Sequence, residues 1–411
     1  VRDNLAFIQR QQRDWKITVA RTSIDKLAYQ LVYPYLSIYV VALGATGTQL
    51  GAVNTIGMVV AGLAAPFTGW LIDRFGAKRM YLLGIGLVAV AYLVYAVAQS
   101  WVLAILAMAA YWLGSTGSVQ SCATVCGNCL DNKDRATGML FCETIAAGLV
   151  GMVGPILAAW LVTSLGGVSL DTIRPLFFLA LLCTAGSFIL VLKSLSDRRW
   201  SGGAESRGAM FQGFARIFKE GRNLKKWLVI GTLSSLPMGM VLPFAQVFAN
   251  QQKGADGLVL GAMVTGAAVA SIIFAIPLGR WADRVGRKKV LYITMPVFWA
   301  SNLLLVWAPG PGWLIIAGVL QGGYYIGSSI VAAMERELVP KHQMARWLGL
   351  ARFFKLMIVA GMALAAGAVW DMAGPMWVFL IYVALDLLVR LPLLIRMPET
   401  LSIQHDKGEN A

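Results

Sequence analysis

The chain has 411 residues, of which 58% are hydrophobic and only 13% charged, with 35 Lys and Arg against 20 Asp and Glu. Soluble domains carry roughly a quarter charged residues, so this composition excludes an ordinary soluble enzyme or binding module and leaves apolar sequence for about a dozen membrane spans of ~20 residues. The net charge of +15 raises nucleic acid as a partner, but the placement of the bases argues against it.

The first sixteen residues are polar and carry Arg2, Arg10, Arg13 and Lys16, so no cleavable signal peptide is expected. Apolar runs punctuated by turn residues then predict spans over 17–43, 49–71, 78–99, 101–129, 136–165 and 174–194. A polar connector follows at about 194–225, where Met210, Phe211, Phe214, Ile217 and Phe218 recur at helical spacing opposite Arg216, Lys219 and Arg222. That pattern suits a helix lying on the inner leaflet, and equally a basic tether whose aromatic residues pack on the domains. Further spans are predicted over 226–250, 258–281, 287–308, 312–335, 345–370 and 374–396. The expected fold class is all-α integral membrane, with twelve transmembrane helices.

Charge sorts the connecting loops into two sets. One set holds Arg74, Lys78 and Arg79, then Lys133 and Arg135, then Arg280, Arg284, Arg287, Lys288 and Lys289, then Arg336, Lys341 and Arg346. The connector from Lys193 to Lys226 joins them with nine bases against three acids, whereas the opposite loops hold little beyond Arg174 and Lys253. Positive charge resists translocation, so the basic loops and both termini are expected on the cytoplasmic side of a cell membrane, multi-pass. This placement accounts for the basic balance without nucleic acid.

The chain also repeats itself. Gly69-Trp-Leu-Ile-Asp73-Arg74-Phe-Gly76-Ala-Lys78-Arg79 returns 210 residues later as Gly279-Arg-Trp-Ala-Asp283-Arg284-Val-Gly286-Arg-Lys288-Lys289. Asp134-Arg135-Ala-Thr-Gly138 is matched by Ala345-Arg346-Trp-Leu-Gly349, and Trp101 by Trp313, all at offsets of 210 to 212. Agreement in one register predicts two pseudosymmetric six-helix bundles, 1–193 and 226–411, joined by the connector at 194–225. An acid and several bases at a tight turn can link helix ends in one conformation and release them in another.

Ionisable groups inside the spans are few and therefore informative, because a charge at the bilayer centre costs about 2.5–3.5 kcal/mol on insertion scales. Arg21, Asp25, Tyr29 and Tyr33 form an i, i+4 stripe on the first span. Two readings of Asp25 stand side by side: a fixed partner of Arg21, or a group that exchanges a proton or binds a cationic substrate. Glu143 has no opposite charge at local helical spacing and is a candidate proton carrier. Arg352 and Lys355 lie at nearly the equivalent depth of the eleventh span, so either is a candidate partner for Glu143 in an inner gate. Asp386 and Arg390, at i, i+4, read as a local structural pair. Cys122, Cys126 and Cys129 fall at i, i+4, i+7 with Cys142 on the next span; thiols so grouped can hold a soft ion, but cysteine is also a common packing residue, and no metal is expected.

These features resemble the major facilitator superfamily across essentially the whole chain, the specific signal being the Gly-x-x-x-Asp-Arg-x-Gly turn in both halves. The resemblance implies a central cavity exposed alternately to either side of the membrane. It also implies a cytoplasmic charge network that stabilises the outward-facing state, carried by Gly69, Asp73, Arg74, Gly76 and Arg79 in the first half and by Asp283, Arg284 and Gly286 in the second. Arg135, Glu335 and Arg346 are nearby candidates for the same latch. Asp25 followed by Pro34, and Gly151-Met-Val-Gly154-Pro155, look like drug:proton antiporter patterns. The arginine of that branch in the fourth span is absent, the span reading Tyr111-Trp112-Leu-Gly114-Ser115 instead. In the family the first, fourth, seventh and tenth spans line the cavity; here they offer Tyr29, Tyr33, Trp112, Gln120, Gln246, Gln321 and Tyr324. Aromatic walls with few fixed charges favour an amphipathic or lipophilic substrate.

The function expected is secondary active transport of a small organic molecule by alternating access, with proton-coupled multidrug export foremost. Metabolite uptake, lipid flipping or metal-ion transport on the same fold are alternatives, as is a membrane sensor that binds without transporting. No nucleotide fingerprint or catalytic constellation stands in the sequence, so neither an enzyme nor a cofactor is expected. Expected partners are the substrate, protons and the lipid bilayer, with the protein a monomer.

Overall fold

The computed structural model describes residues 10–130, 142, 147–196, 224–338, 344–397 and 399, with a few side chains among them excepted. These residues are almost wholly helical, and no strand occurs among them. The order is α1 (Arg13–Ala42), α2 (Gly47–Phe75), α3 (Ala77–Val97), α4 (Trp101–Cys129), α5 (Ala147–Ser164), α6 (Leu170–Ser194), α7 (Leu224–Met240) and α8 (Leu242–Lys253). Then come α9 (Gly257–Val285), α10 (Arg287–Trp307), α11 (Pro311–Leu338), α12 (Met344–Met372), α13 (Pro375–Leu385), a π-helical turn (Asp386–Arg390) and α14 (Leu391–Ile395). Among the described residues, 10 helical segments are long and apolar enough to cross a membrane, with α7 and α8 counted as one segment and α13 to α14 as another. In a bilayer every backbone group must find its partner inside the chain, and helices do this.

Two expected spans are interrupted for the same reason. Pro237 and Pro243 bracket the break at Val241 between α7 and α8, and Pro392 follows the π turn. Proline lacks the N–H that continues a helix, so the ladder shifts or breaks beside it. The charged first span is helical throughout 13–42, and its hydroxyls turn back on their own backbone: Thr18 donates to Asp14 O at 2.9 Å and Thr22 to Thr18 O at 2.8 Å. Such bonds remove polar groups from an apolar setting.

The chain divides into two compact units, residues 1–44 with 56–205, and residues 45–55 with 206–411. The turns that start α2 thus belong with the second unit and the remainder of α2 with the first. In the first unit α1 packs against α4, α5 and α6, and α3 packs against α4 and α6. Its core includes Tyr39, whose hydroxyl donates to Tyr95 O at 2.7 Å, and Phe177, which touches both tyrosine rings. In the second unit α11 lies against α9 and α10, and α7 against α12. Phe248 bridges Trp370 and Phe379 there. Large apolar side chains also point outward, Leu182 at 68% exposure and Trp160 at 65% among them. Such a surface aggregates in water and suits lipid.

Candidate functional site

The first unit places its charge cluster where three helices meet. Arg21 and Asp25 of α1 form an ion pair. The Arg21 guanidinium is buried, lies 4.6 Å from the centre of the Tyr81 ring on α3, and donates from Nη1 to the Tyr81 hydroxyl at 3.3 Å. Ser187 of α6 donates to Asp25 Oδ1 at 3.1 Å. The pair is asymmetric, because the Asp25 side chain keeps 22% exposure while that of Arg21 keeps 4%. The guanidinium is locked by the bundle, and the carboxylate reaches an accessible surface. This is the i, i+4 pairing the first span predicts. Tyr81 and Ser187 had no signal in sequence, standing 60 and 162 residues from the groups they bind.

Further along α1 the stripe becomes an aromatic wall. Tyr29 lies 5.2 Å from Tyr33 and stacks on Tyr111 of α4 at 5.9 Å, and Tyr111 meets Trp112 edge-on at 6.2 Å. Lys26 sets its ammonium 5.6 Å from the Tyr29 ring. All four rings are half-buried. Aromatic faces carry negative charge density, so this surface and the partly accessible carboxylate share one electrostatic sign. Gln120, expected in the lining, donates from Nε2 to Ala65 O at 3.1 Å and so ties α4 to α2.

The second unit carries a separate buried pair. Lys355 Nζ of α12 and Glu335 Oε1 of α11 are 2.5 Å apart, and Glu335 is 4% exposed. They lie over Gly231 of α7, where any side chain would collide with Glu335 Oε1. Lys355 therefore has a partner in its own unit; Glu143, its candidate partner from sequence, lies outside the described residues. Arg352, the other candidate partner, is partly buried on α12. Gln246 and Gln321 are buried, and neither Gln246 Oε1 nor Gln321 Nε2 has a hydrogen-bond partner among the described residues. Tyr324 packs on Phe298 at 5.5 Å and lines a small cavity with Ser234, Tyr382, Asp386 and Arg390. Asp386 and Arg390 pair at 3.1 Å as expected, and Trp299 Nε1 donates to Asp386 Oδ2 at 2.6 Å.

Comparison with known proteins gives this arrangement a family. The family model described as Major Facilitator Superfamily matches residues 22–231 and again residues 227–409. The chain belongs to the major facilitator superfamily. It is 28% identical over 295 residues to "Multidrug resistance protein MdtG" of Dickeya zeae, covering 68% of this chain and 67% of that one. MdtG of Escherichia coli strain SMS-3-5 / SECEC is 27% identical over 293 residues, at 68% and 67% coverage. Among solved structures, nucleoside transporter NupG superposes with a TM-score of 0.74 at 14% identity, covering 94% of this chain and 100% of that one. At that identity the likeness concerns fold.

The superfamily turns occupy equivalent joints. Gly76 separates α2 from α3 and Gly286 separates α9 from α10, with φ of 90° and 111°. Side chains with a Cβ avoid that region, which explains a glycine at both joints. Arg74 lies 5.4 Å from each of the Trp70 and Phe75 rings. Asp283 pairs with Arg287 at 3.1 Å, while Arg284 and Arg79 are exposed. Gly69 has open space where a side chain would stand. Arg135 and the side chains of Asp73 and Arg346 lie outside the described residues.

Two acids that close helix ends were missed in sequence. Glu399 accepts from the backbone N–H of Arg287 and of Lys288, each at 3.1 Å, at the start of α10. Lys288 Nζ donates in return to Met397 O at 2.6 Å. Within the second unit, Asp371 at the end of α12 accepts from Gly47 N at 2.8 Å, Thr48 N at 2.7 Å and Thr48 Oγ1 at 2.7 Å. Free N–H groups and a positive dipole end make a helix start attractive to a carboxylate. The helix starts are readable in sequence, but their partners stand 112 and 324 residues away. Finally, the Sγ atoms of Cys122, Cys126 and Cys142 lie within 4.8 Å of one another, while Cys129 donates instead to Cys126 O at 3.9 Å.

Proposed function

We propose that this chain is a secondary active transporter that exports small amphipathic or lipophilic molecules by alternating access, driven by protons. The observation that carries the reading is the first-unit cluster: a partly exposed Asp25 paired with a buried Arg21, one turn from the Tyr29, Tyr33, Tyr111 and Trp112 wall. A carboxylate inside a membrane bundle beside an aromatic surface marks an ion or substrate pathway. A proton arriving on Asp25 removes the charge that holds Arg21, which then keeps Tyr81 alone. A cationic substrate on the tyrosines competes for the same carboxylate. Proton and substrate thereby exclude each other, which is the condition for antiport. Similarity to two multidrug resistance proteins supports the drug:proton antiporter type.

The same proposal includes twelve membrane helices in two pseudosymmetric bundles, both termini in the cytoplasm, and a monomer in the bilayer. Gln246 and Gln321, each with a buried unsatisfied amide atom, are the second unit's candidate contacts for polar groups of substrate. The turns at Gly76 and Gly286 and the Glu335–Lys355 pair are its candidate inner gate, and the Asp371 clasp holds the start of α2 in one state and frees it in another.

Purified protein in liposomes with an imposed pH gradient tests this. The wild type concentrates a fluorescent lipophilic cation against its gradient. Asp25→Asn loses gradient-driven uptake by about tenfold or more, equivalent to at least 1.4 kcal/mol, and keeps exchange of labelled for unlabelled dye. Full pH-driven accumulation in the variant removes Asp25 from the coupling. Dye binding with no flux in the wild type makes the chain a sensor.

A further inference from the structure

We propose that Cys122, Cys126 and Cys142 form a binding site for a soft monovalent metal ion, Cu(I) or its analogue Ag(I). All three residues are buried, and their Sγ atoms lie within 4.8 Å of one another. Cys122 and Cys126 stand one turn apart on α4, so both thiols leave the same face of that helix. Cys142 joins them from a position between α4 and α5. Thr22 of α1 closes a further side, its hydroxyl 3.7 Å from Cys122 Sγ and 3.7 Å from Cys142 Sγ. A thiolate–metal bond of about 2.3 Å sets the three ligands of a trigonal ion about 4 Å apart, a spacing these thiols reach by small side-chain rotations.

The ligand set selects the ion. Sulfur donors favour soft cations over Mg²⁺, Ca²⁺ or Mn²⁺. Structural zinc sites take four protein ligands and three-ligand zinc sites add a water, whereas among the described residues no His, Asp or Glu joins the three thiols and their surroundings are apolar. Three sulfurs, with a neutral hydroxyl as the other near neighbour, match a three-coordinate Cu(I). The thiols share a core with Trp15, Tyr81 and Val125, which keeps water and chelators away from a bound ion. Binding replaces each ligating S–H bond by a bond from sulfur to Cu(I) and hands the proton to water; no electron changes hands. The site is independent of the transport reading.

The test uses the purified full chain in detergent, under anaerobic conditions, titrated with Cu(I) against the chelator bathocuproine disulfonate. The wild type is expected to withhold a single Cu(I), with thiolate-to-metal absorption in the ultraviolet and a sulfur-only shell near about 2.3 Å by X-ray absorption. The Cys122→Ser/Cys126→Ser/Cys142→Ser variant loses retention about tenfold or more, and Cys129→Ser/Cys183→Ser keeps it. Retention in the triple variant, or equal loss in both variants, overturns the assignment. Should the triple variant fail to fold, the wild type still decides, because surrender of all Cu(I) or a shell of nitrogen and oxygen ends the proposal.

Discussion

At the residue scale the buried ion pairs differ in what holds them. Arg21 and Asp25 share a helix face, and the i, i+4 spacing makes that pairing readable from sequence. Glu335 and Lys355 come from α11 and α12 and meet over Gly231, where a side chain would collide with them. Removing one partner of a buried pair leaves the other charge uncompensated and costs about 3–5 kcal/mol, whereas replacing both by apolar groups is often neutral. Lys355→Met is therefore expected to lower the unfolding temperature of the purified protein sharply, and adding Glu335→Met should restore most of the loss. Equal destabilisation in the single and double variants would mean that the two groups do not depend on each other. Tyr81 and Ser187 complete the Arg21–Asp25 cluster from α3 and α6, and no local pattern names them.

At the scale of elements, helix ends carry the specificity. The joints at Gly76 and Gly286 follow from the repeated motif, and the positive-φ, extended backbone at each costs a non-glycine residue about 1–3 kcal/mol. Gly286 also sits against the Glu399 carboxylate, so Gly286→Val should destabilise more than Gly76→Val in thermal unfolding. A larger loss at Gly76 would contradict the Glu399 contact. The clasp of Asp371 on the start of α2 behaves as a helix cap delivered from a distant helix. Caps contribute about 1 kcal/mol, and Asp371→Ala should speed amide hydrogen exchange over residues 47–50 by roughly fivefold. Unchanged exchange there would show that α2 is held by its packing instead. Thr55, which donates to Ala360 O at 2.7 Å, makes a second tie to α12 beyond the cap.

At the scale of the whole molecule, burial runs in two senses. Leu176 is fully buried within its bundle, while Leu182, two turns further along α6, is 68% exposed. In a bilayer both are apolar positions, but only Leu176 fills space between helices. Leu176→Ala is expected to cost about 2–5 kcal/mol through the cavity it leaves, and Leu182→Ala to remain within about 0.5 kcal/mol, as read by thermal unfolding in detergent. Comparable losses at the two positions would place Leu182 in a protein contact. Hydropathy alone ranks these leucines equally, because it counts apolar residues without telling lipid from neighbour.

Composition, and spacing within a single helix, were enough for the class, for most of the spans, for the repeated turns and for the Arg21–Asp25 stripe. Periodicity and charge act over a few residues, so one strand of text is enough to read them. Packing was needed to pair Lys355 with Glu335, to bring Asp371 and Glu399 to helix starts far from them in the chain, and to set Tyr81 and Ser187 around Arg21 and Asp25. Those meetings depend on how helices pack, and helix packing is set by the shapes of many side chains at once rather than by any short pattern.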